Sequence, residues 1–179
     1  PSDSIKRFQK MLDDNTQQET AAYYGLALAY IQTGKFSEAQ EILARLVKEN
    51  PYQPAFHYSN IELSIAEQDY KSGLKKLEAQ LNRNPGNYPL LSLKAEALWL
   101  DHQYEEAGEI LTILARDRNQ DPMVWYRLAE VRGLAGNISG VHQARAEYFI
   151  LVGAFSLARE QLGLAQKLTI SDFKQSAII

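Results

Sequence analysis

Cysteine is missing from all 179 residues. That removes disulfides and thiolate chemistry but leaves the compartment open, since oxidising and reducing compartments both hold cysteine-free chains. An excess of basic charge is missing too: 19 Lys and Arg stand against 22 Asp and Glu, a formal charge of −3. The only tight basic cluster is Lys75-Lys76, so the cationic surface that nucleic acids require is lacking. Long apolar runs are scarce. The longest, YFILVGAFSLA at 148–158, is closed by Glu147 and Arg159, well short of the roughly 20 residues that span a bilayer. Low-complexity tracts are absent, and 45% hydrophobic with 23% charged residues is the composition of a folded globular protein. Beginning at Pro1 with neither Met nor an apolar leader, the sequence reads as a fragment or a processed product.

Catalytic signatures are equally scarce. The three histidines, His57, His102 and His142, include no pair at the four-residue spacing that sets two imidazoles on one metal. No G-x-S-x-G turn occurs, and the glycines sit at turns rather than in a phosphate-cradling loop. The expectation is therefore no catalytic residue, no metal ligand and no cofactor-binding residue in this chain; it is not read as an enzyme. Asp101-His102, ahead of Tyr104, reads as a loop at a helix end.

What the sequence does have is a phrase that returns. TGKFSEAQEILARLVKENP at 33–51 is echoed by EQDYKSGLKKLEAQLNRNP at 67–85. Phe36, Tyr70 and Tyr104 stand 34 residues apart, as do Ala39, Gly73 and Ala107, Leu43, Leu77 and Leu111, and the prolines Pro51 and Pro85; a further step leads to Pro122. Within each unit the apolar spacing is helical. Tyr23, Leu26, Ala27 and Tyr30 make one stripe, Phe36, Ala39, Ile42, Leu43 and Leu46 the next, and Gly34 breaks the chain between them. Such a hairpin leaves a face uncovered when alone, and stacking copies closes the core. The small column at 39, 73 and 107 marks where neighbouring helices come closest.

The pattern resembles the tetratricopeptide repeat. The unit from Thr20 meets it with Tyr23, Leu26-Ala27, Tyr30, Gly34, Phe36, Ala39, Leu43 and Pro51. The unit from Pro54 keeps Tyr70, Gly73, Leu77 and Pro85 but carries His57, Asn60 and Ser64 on a degenerate first helix. The unit from Tyr88 keeps Ala95, Tyr104, Ala107 and Leu111, and that from Pro122 keeps Trp125, Leu128, Ala129 and Gly136. After residue 138 the interval halves: SGVHQARAEYFILVG is both the second helix of the fourth unit and the first of a half-shifted fifth. The fold expected is all-α, a tetratricopeptide-repeat solenoid of about ten to eleven helices with a concave groove, forming a single domain over 1–179. Its parts are a leading helix at 1–18, repeats at 20–53, 54–87, 88–121 and 122–152, a half-repeat at 153–169 and a capping helix at 170–179.

A narrower resemblance rests on HQARAEYFILVGAFSLAREQLGLAQKL at 142–168, with Arg145, Ala146, Glu147 and Gly153, and on the opening ETAAYYGLALAYIQTGKFSEAQEIL. Both are similar to the C-terminal repeat domain of periplasmic zinc metalloproteases of the BepA type, although this sequence stops at FKQSAII where that family tends to continue into a further helix. The resemblance implies a periplasmic location and a parent with an HExxH zinc site upstream, zinc being a cofactor of that parent and not of these residues. It also implies a non-catalytic interaction role in quality control of outer-membrane protein assembly, docking substrates or assembly machinery and regulating the protease domain. The alternative is a scaffold subunit of a secretion or pilus assembly system that shares only the repeat.

In repeats of this family the first helices line the groove. Their fifth positions here are Tyr24, Tyr58, Ser92 and Tyr126, and their ninth are Leu28, Glu62, Glu96 and Glu130, with Trp99 one turn past Glu96. The partner expected is a protein or peptide in that groove, the parent's own protease domain included, with no nucleic acid and no membrane span. Tyrosines supply affinity through large, nearly rigid apolar area, and the glutamates bias selection toward neutral or cationic segments. Carboxylates about 10 Å apart in water repel by only about 0.4 kcal/mol, so the column needs no bound cation. Tyr23 and Trp125 are expected to pack in the core.

Overall fold

The computed structural model describes residues 2–14 and 18–176, apart from the side chains of Ser2 and of 171–176. Residues 1 and 15–17 of the expected leading helix and 177–179 of the expected cap lie outside the described residues. Ten helices and no strand are present among those described. They fall into two compact units, Pro1–Pro85 and Gly86–Ile179, where the sequence suggests one continuous domain.

The first unit holds α1 (Ser2–Asp13), α2 (Glu19–Gln32), α3 (Phe36–Glu49), α4 (Pro54–Ala66) and α5 (Tyr70–Leu81). Each packs on the next, and the first helices α2 and α4 also touch. Ala27, Ala39, Leu43, Leu46, Phe56 and Leu63 make its centre; each fully buried leucine contributes about 1.5–3 kcal/mol. The leading helix lays Ile5, Phe8 and Leu12 against Leu26 and Ala29 of α2. Gly25 makes that approach possible, because a Cβ there would stand 2.4 Å from the Phe8 ring.

The second unit holds α6 (Tyr88–Leu100), α7 (Tyr104–Asp117), α8 (Pro122–Leu134), α9 (Ile138–Leu151) and α10 (Phe155–Ser176), each packed on its successor. Asn87 and Asp121 cap α6 and α8 by accepting from the backbone N–H of Leu90 and Met123, with Pro89 and Pro122 in the first turn, where a missing N–H costs nothing. The halved interval is real. Helix α9 packs on α8 through one side and α10 through the other, and Val141, Ala144 and Ala146 are all buried. The separate cap at 170–179 is corrected: α10 runs unbroken through Ser176. No Gly or Pro stands between 164 and 176 to stop it, and the Thr169 hydroxyl donates back to the Ala165 carbonyl at 3.0 Å, inside the helical ladder.

The turns carry the repeat more faithfully than the residues do. Gly34, Gln68, His102 and Gly136 all have left-handed backbone, φ between 60° and 75°, at 34-residue intervals, and Gly153 follows Gly136 by half that. In each, the next residue's N–H reaches the carbonyl five back, as in Lys35 to Tyr30, Asp69 to Ser64 and Gln103 to Leu98. This is the two-bond helix stop that glycine favours. Gln68 and His102 adopt it without glycine's freedom, at a cost of roughly 1–2 kcal/mol each.

Candidate functional site: two adjoining clefts in the second unit

In the first unit the expected groove tyrosine Tyr24 is half-buried and already engaged. Its hydroxyl lies 2.9 Å from Ser59 Oγ, it donates to the Ala55 carbonyl at 3.4 Å, and its ring tilts against Phe56 at 5.0 Å. Tyr24 thus ties the first helices of consecutive repeats together. Leu28, Tyr58 and Glu62 are half-buried on α2 and α4. Tyr23 packs on the core with the Arg45 guanidinium 3.7 Å over its ring.

In the second unit the sequence columns converge on a cavity. Glu96 and Trp99 of α6 meet Glu130 of α8 around a cleft of about 220 Å³ floored by Ala95, Leu111 and Val131. Trp99 is 41% exposed and so presents much of its indole to solvent. Ser92, one turn before Glu96, is half-buried. A second cleft, about 190 Å³, shares Glu130 and adds Tyr126, Tyr148, Phe149 and Arg145. Its rings form a chain, Tyr126 to Tyr148 at 5.7 Å and Tyr148 to Phe149 at 5.4 Å, spacings at which edge-tilted aromatics attract. Trp125 is half-buried rather than in the core, and its indole N–H donates to the Asn119 carbonyl at 2.9 Å.

Two arginines change the character expected of this surface. Arg127 lines the first cleft with Glu96 and Glu130, and Arg145 the second with Glu130. The clefts are therefore of mixed charge, not acidic, because arginines outside the two first-helix columns face the same space. Arg127 stands one residue beyond the fifth position, and Arg145, Tyr148 and Phe149 lie on a second helix; following first-helix faces alone misses all four.

The degenerate helix α4 has its own order. Lys76 of α5 donates to the Asn60 carbonyl at 3.2 Å, to Asn60 Oδ1 at 3.0 Å and to Ser64 Oγ at 2.7 Å, which uses all three ammonium protons. Burial pushes its pKa below the ordinary lysine value, against the opposing pull of Glu67 and Asp69. His57 joins the same seam. Its Nε2 lies 2.8 Å from the Pro51 carbonyl and can donate to it, and its Nδ1 lies 3.2 Å from Gln80 Nε2 and can accept from it. His102 pairs with the Tyr104 hydroxyl at 2.6 Å and His142 with Gln161 at 2.8 Å. Among the described residues no group of three or more His, Asp or Glu could hold a metal ion, and no helix is long and apolar enough to cross a membrane.

A family model of the tetratricopeptide repeat matches residues 1–59 and 64–131, more than half of the chain, and the chain belongs to that family. It is a protein-interaction domain of that class. Among individual proteins it is similar to the beta-barrel assembly-enhancing protease of Escherichia coli (strain K12), 26% identical over 152 residues, 84% of this chain and 31% of that protein. The protein of the same name from Shigella flexneri gives the same figures. The chain thus spans less than a third of the length of the curated relatives it matches. Two solved structures share its fold at 15% identity and a TM-score of 0.65. They are a tetratricopeptide repeat protein from Parabacteroides merdae ATCC 43184, with 93% of this chain and 71% of that one covered, and MamA from Desulfovibrio magneticus RS-1, with 85% and 96% covered.

Proposed function

We propose that the chain is the non-catalytic docking domain of a periplasmic zinc metalloprotease acting in outer-membrane protein assembly, and that polypeptide docks in the paired clefts of its second unit. The single observation that carries the docking reading is the meeting of Trp99, Glu96, Glu130 and Arg127 around one apolar-floored cleft. A large apolar side chain of the partner would pack on Trp99, and a second would enter the aromatic cleft at Tyr126 and Tyr148. Carboxylates and guanidiniums at the margins suit a segment that carries both charges, and they select partners more than they add affinity. The link to a protease is supported by the similarity to the beta-barrel assembly-enhancing protease over 84% of the chain.

The test is titration with peptides tiled from an outer-membrane β-barrel protein, read by Trp99 fluorescence in a Trp125→Phe background. Trp99→Leu and Tyr126→Ala, read by anisotropy of labelled peptide, should each weaken binding at least tenfold, about 1.4 kcal/mol, with helical content intact. Unchanged affinity in both would remove the clefts from consideration. The protease link is tested separately by the reading frame ahead of Pro1, where an HExxH motif is expected and an initiator Met directly before Pro1 would refute it.

A further inference from the structure

The second unit has a third cleft that shares no residue with the other two, a space of about 260 Å³ between α7 and the α8–α9 turn. Arg132 stands in it, at the end of the 34-residue column Tyr30, Ser64, Leu98, Arg132. Tyr30 packs on the core of the first repeat, and Ser64 and Leu98 are buried. The fourth repeat alone puts a cation at this place. Gly140 admits it, since a Cβ there would stand 2.8 Å from Arg132 Cδ.

Burial lowers the pKa of two cations, Lys76 and Arg132, and the chain satisfies them to different degrees. Lys76 spends all its protons on Asn60 and Ser64, and Glu67 and Asp69 oppose the fall of its pKa. Arg132 donates to the Gly140 carbonyl at 3.1 Å and to Thr112 Oγ1 at 3.3 Å, which uses two of a guanidinium's five N–H groups. Burial alone sets its shift, with no carboxylate opposing it. The two bonds hold the planar fork in place and leave the remaining donors to the cleft.

Asn137 belongs to the same wall. Its Oδ1 accepts from the Gly140 N–H at 2.8 Å as the cap of α9, and its Nδ2 bonds nothing among the described residues. The facing wall has the opposite character: Glu105 and Glu109, exposed and one turn apart on α7, line it. Neither lies within ion-pair distance of Arg132. Donors on one side and carboxylates on the other fit an occupant that carries an acid and a base side by side. With both glutamates exposed the rim is open, whereas a free small molecule needs about 70–90% of its surface covered. The cleft suits side chains presented by a larger chain.

We propose that this cleft is a second docking site, for a polypeptide segment in which an Asp or Glu adjoins a Lys or Arg. The acid takes Arg132 and Asn137 Nδ2, and the base takes Glu105 and Glu109. Hydrogen bonds between a fixed guanidinium and a carboxylate are about twice as strong as neutral ones, so the acid is the main anchor. The site does not depend on Trp99 or the aromatic cleft and stands or falls apart from them.

The probes are acetyl-Glu-Lys-amide and acetyl-Lys-Glu-amide, titrated at low salt into the isotope-labelled 179-residue chain and read by nuclear magnetic resonance. At least one should saturate with a millimolar Kd and move the Arg132 Nε–H and Asn137 Nδ2–H signals. The Gln-Lys counterpart should bind roughly fivefold more weakly or worse, and the Glu-Gln counterpart about twofold more weakly. Asn137→Asp keeps the cap on α9 but puts a carboxylate on the donor wall, and should also cost roughly fivefold. Glu109→Gln, an exposed change, should cost about twofold, and only toward probes that carry lysine. Trp99→Leu should leave all these values unchanged. If neither probe saturates up to roughly 50 mM, or the Gln-Lys probe binds equally well, the proposal is overturned. So it is if Asn137→Asp, with helical content intact, binds as the parent chain does.

Discussion

The first two repeats close the same seam in opposite ways. In the first, Leu26, Tyr30 and Ile42 pack together beneath the leading helix. Thirty-four residues on, the same three places hold Asn60, Ser64 and Lys76, joined by hydrogen bonds from the Lys76 ammonium. The helices pair in both cases, α2 with α3 and α4 with α5. The seam therefore does not determine the hairpin; the small and leucine columns, Ala39 with Leu43 and Gly73 with Leu77, all buried, do that. What the seam requires is internal agreement, since a polar group left unmatched in a buried place costs about 1–3 kcal/mol while a fully matched set is close to neutral.

Mixing the two versions is the sharpest way to break the comparison. Leu26→Asn exchanges a buried leucine among Ile5, Ala29 and Ile42 for an amide, and should lower unfolding free energy by about 3–5 kcal/mol in urea denaturation. Lys76→Ile should cost less, about 1–3 kcal/mol, because Lys76 is only half-buried and Asn60 keeps some access to water. Adding Asn60→Leu and Ser64→Ala to it should recover most of that loss. A triple variant that is merely the sum of its parts would show that the three residues do not act as a set. The smallest effect belongs to the turns of the same two repeats. Gly34→Ala should destabilise by about 1 kcal/mol, and Gln68→Gly should stabilise by roughly 0.5–1 kcal/mol, both read as shifts of the denaturation midpoint.

The helices and their pairing could be read from the sequence because the columns at 36, 39 and 43 repeat in residue type as well as in place. The left-handed turns could be read at Gly34 and Gly136 but not at Gln68 and His102, where backbone hydrogen bonds impose the conformation on residues that do not favour it. The polar seam reads as degeneration of α4 in the sequence because His57, Asn60 and Ser64 break the apolar pattern of their own helix, whereas their partners, Lys76 and Gln80, lie on α5. The clefts were half legible for a similar reason. Glu96, Trp99 and Glu130 belong to the regular faces of first helices, but Arg145 and Tyr148 reach the site from α9, whose dual role comes from the halved interval.

That dual role has a consequence for how the second unit comes apart. Helix α10 can fray alone, since α9 is its main support, but α9 cannot open without uncovering two neighbours at once. Amide exchange in α9 should accordingly follow the slowest protons of α8, and those of α10 should leave earlier. A hairpin array built only of whole pairs would have had a seam there at which to part; sharing one helix welds it shut.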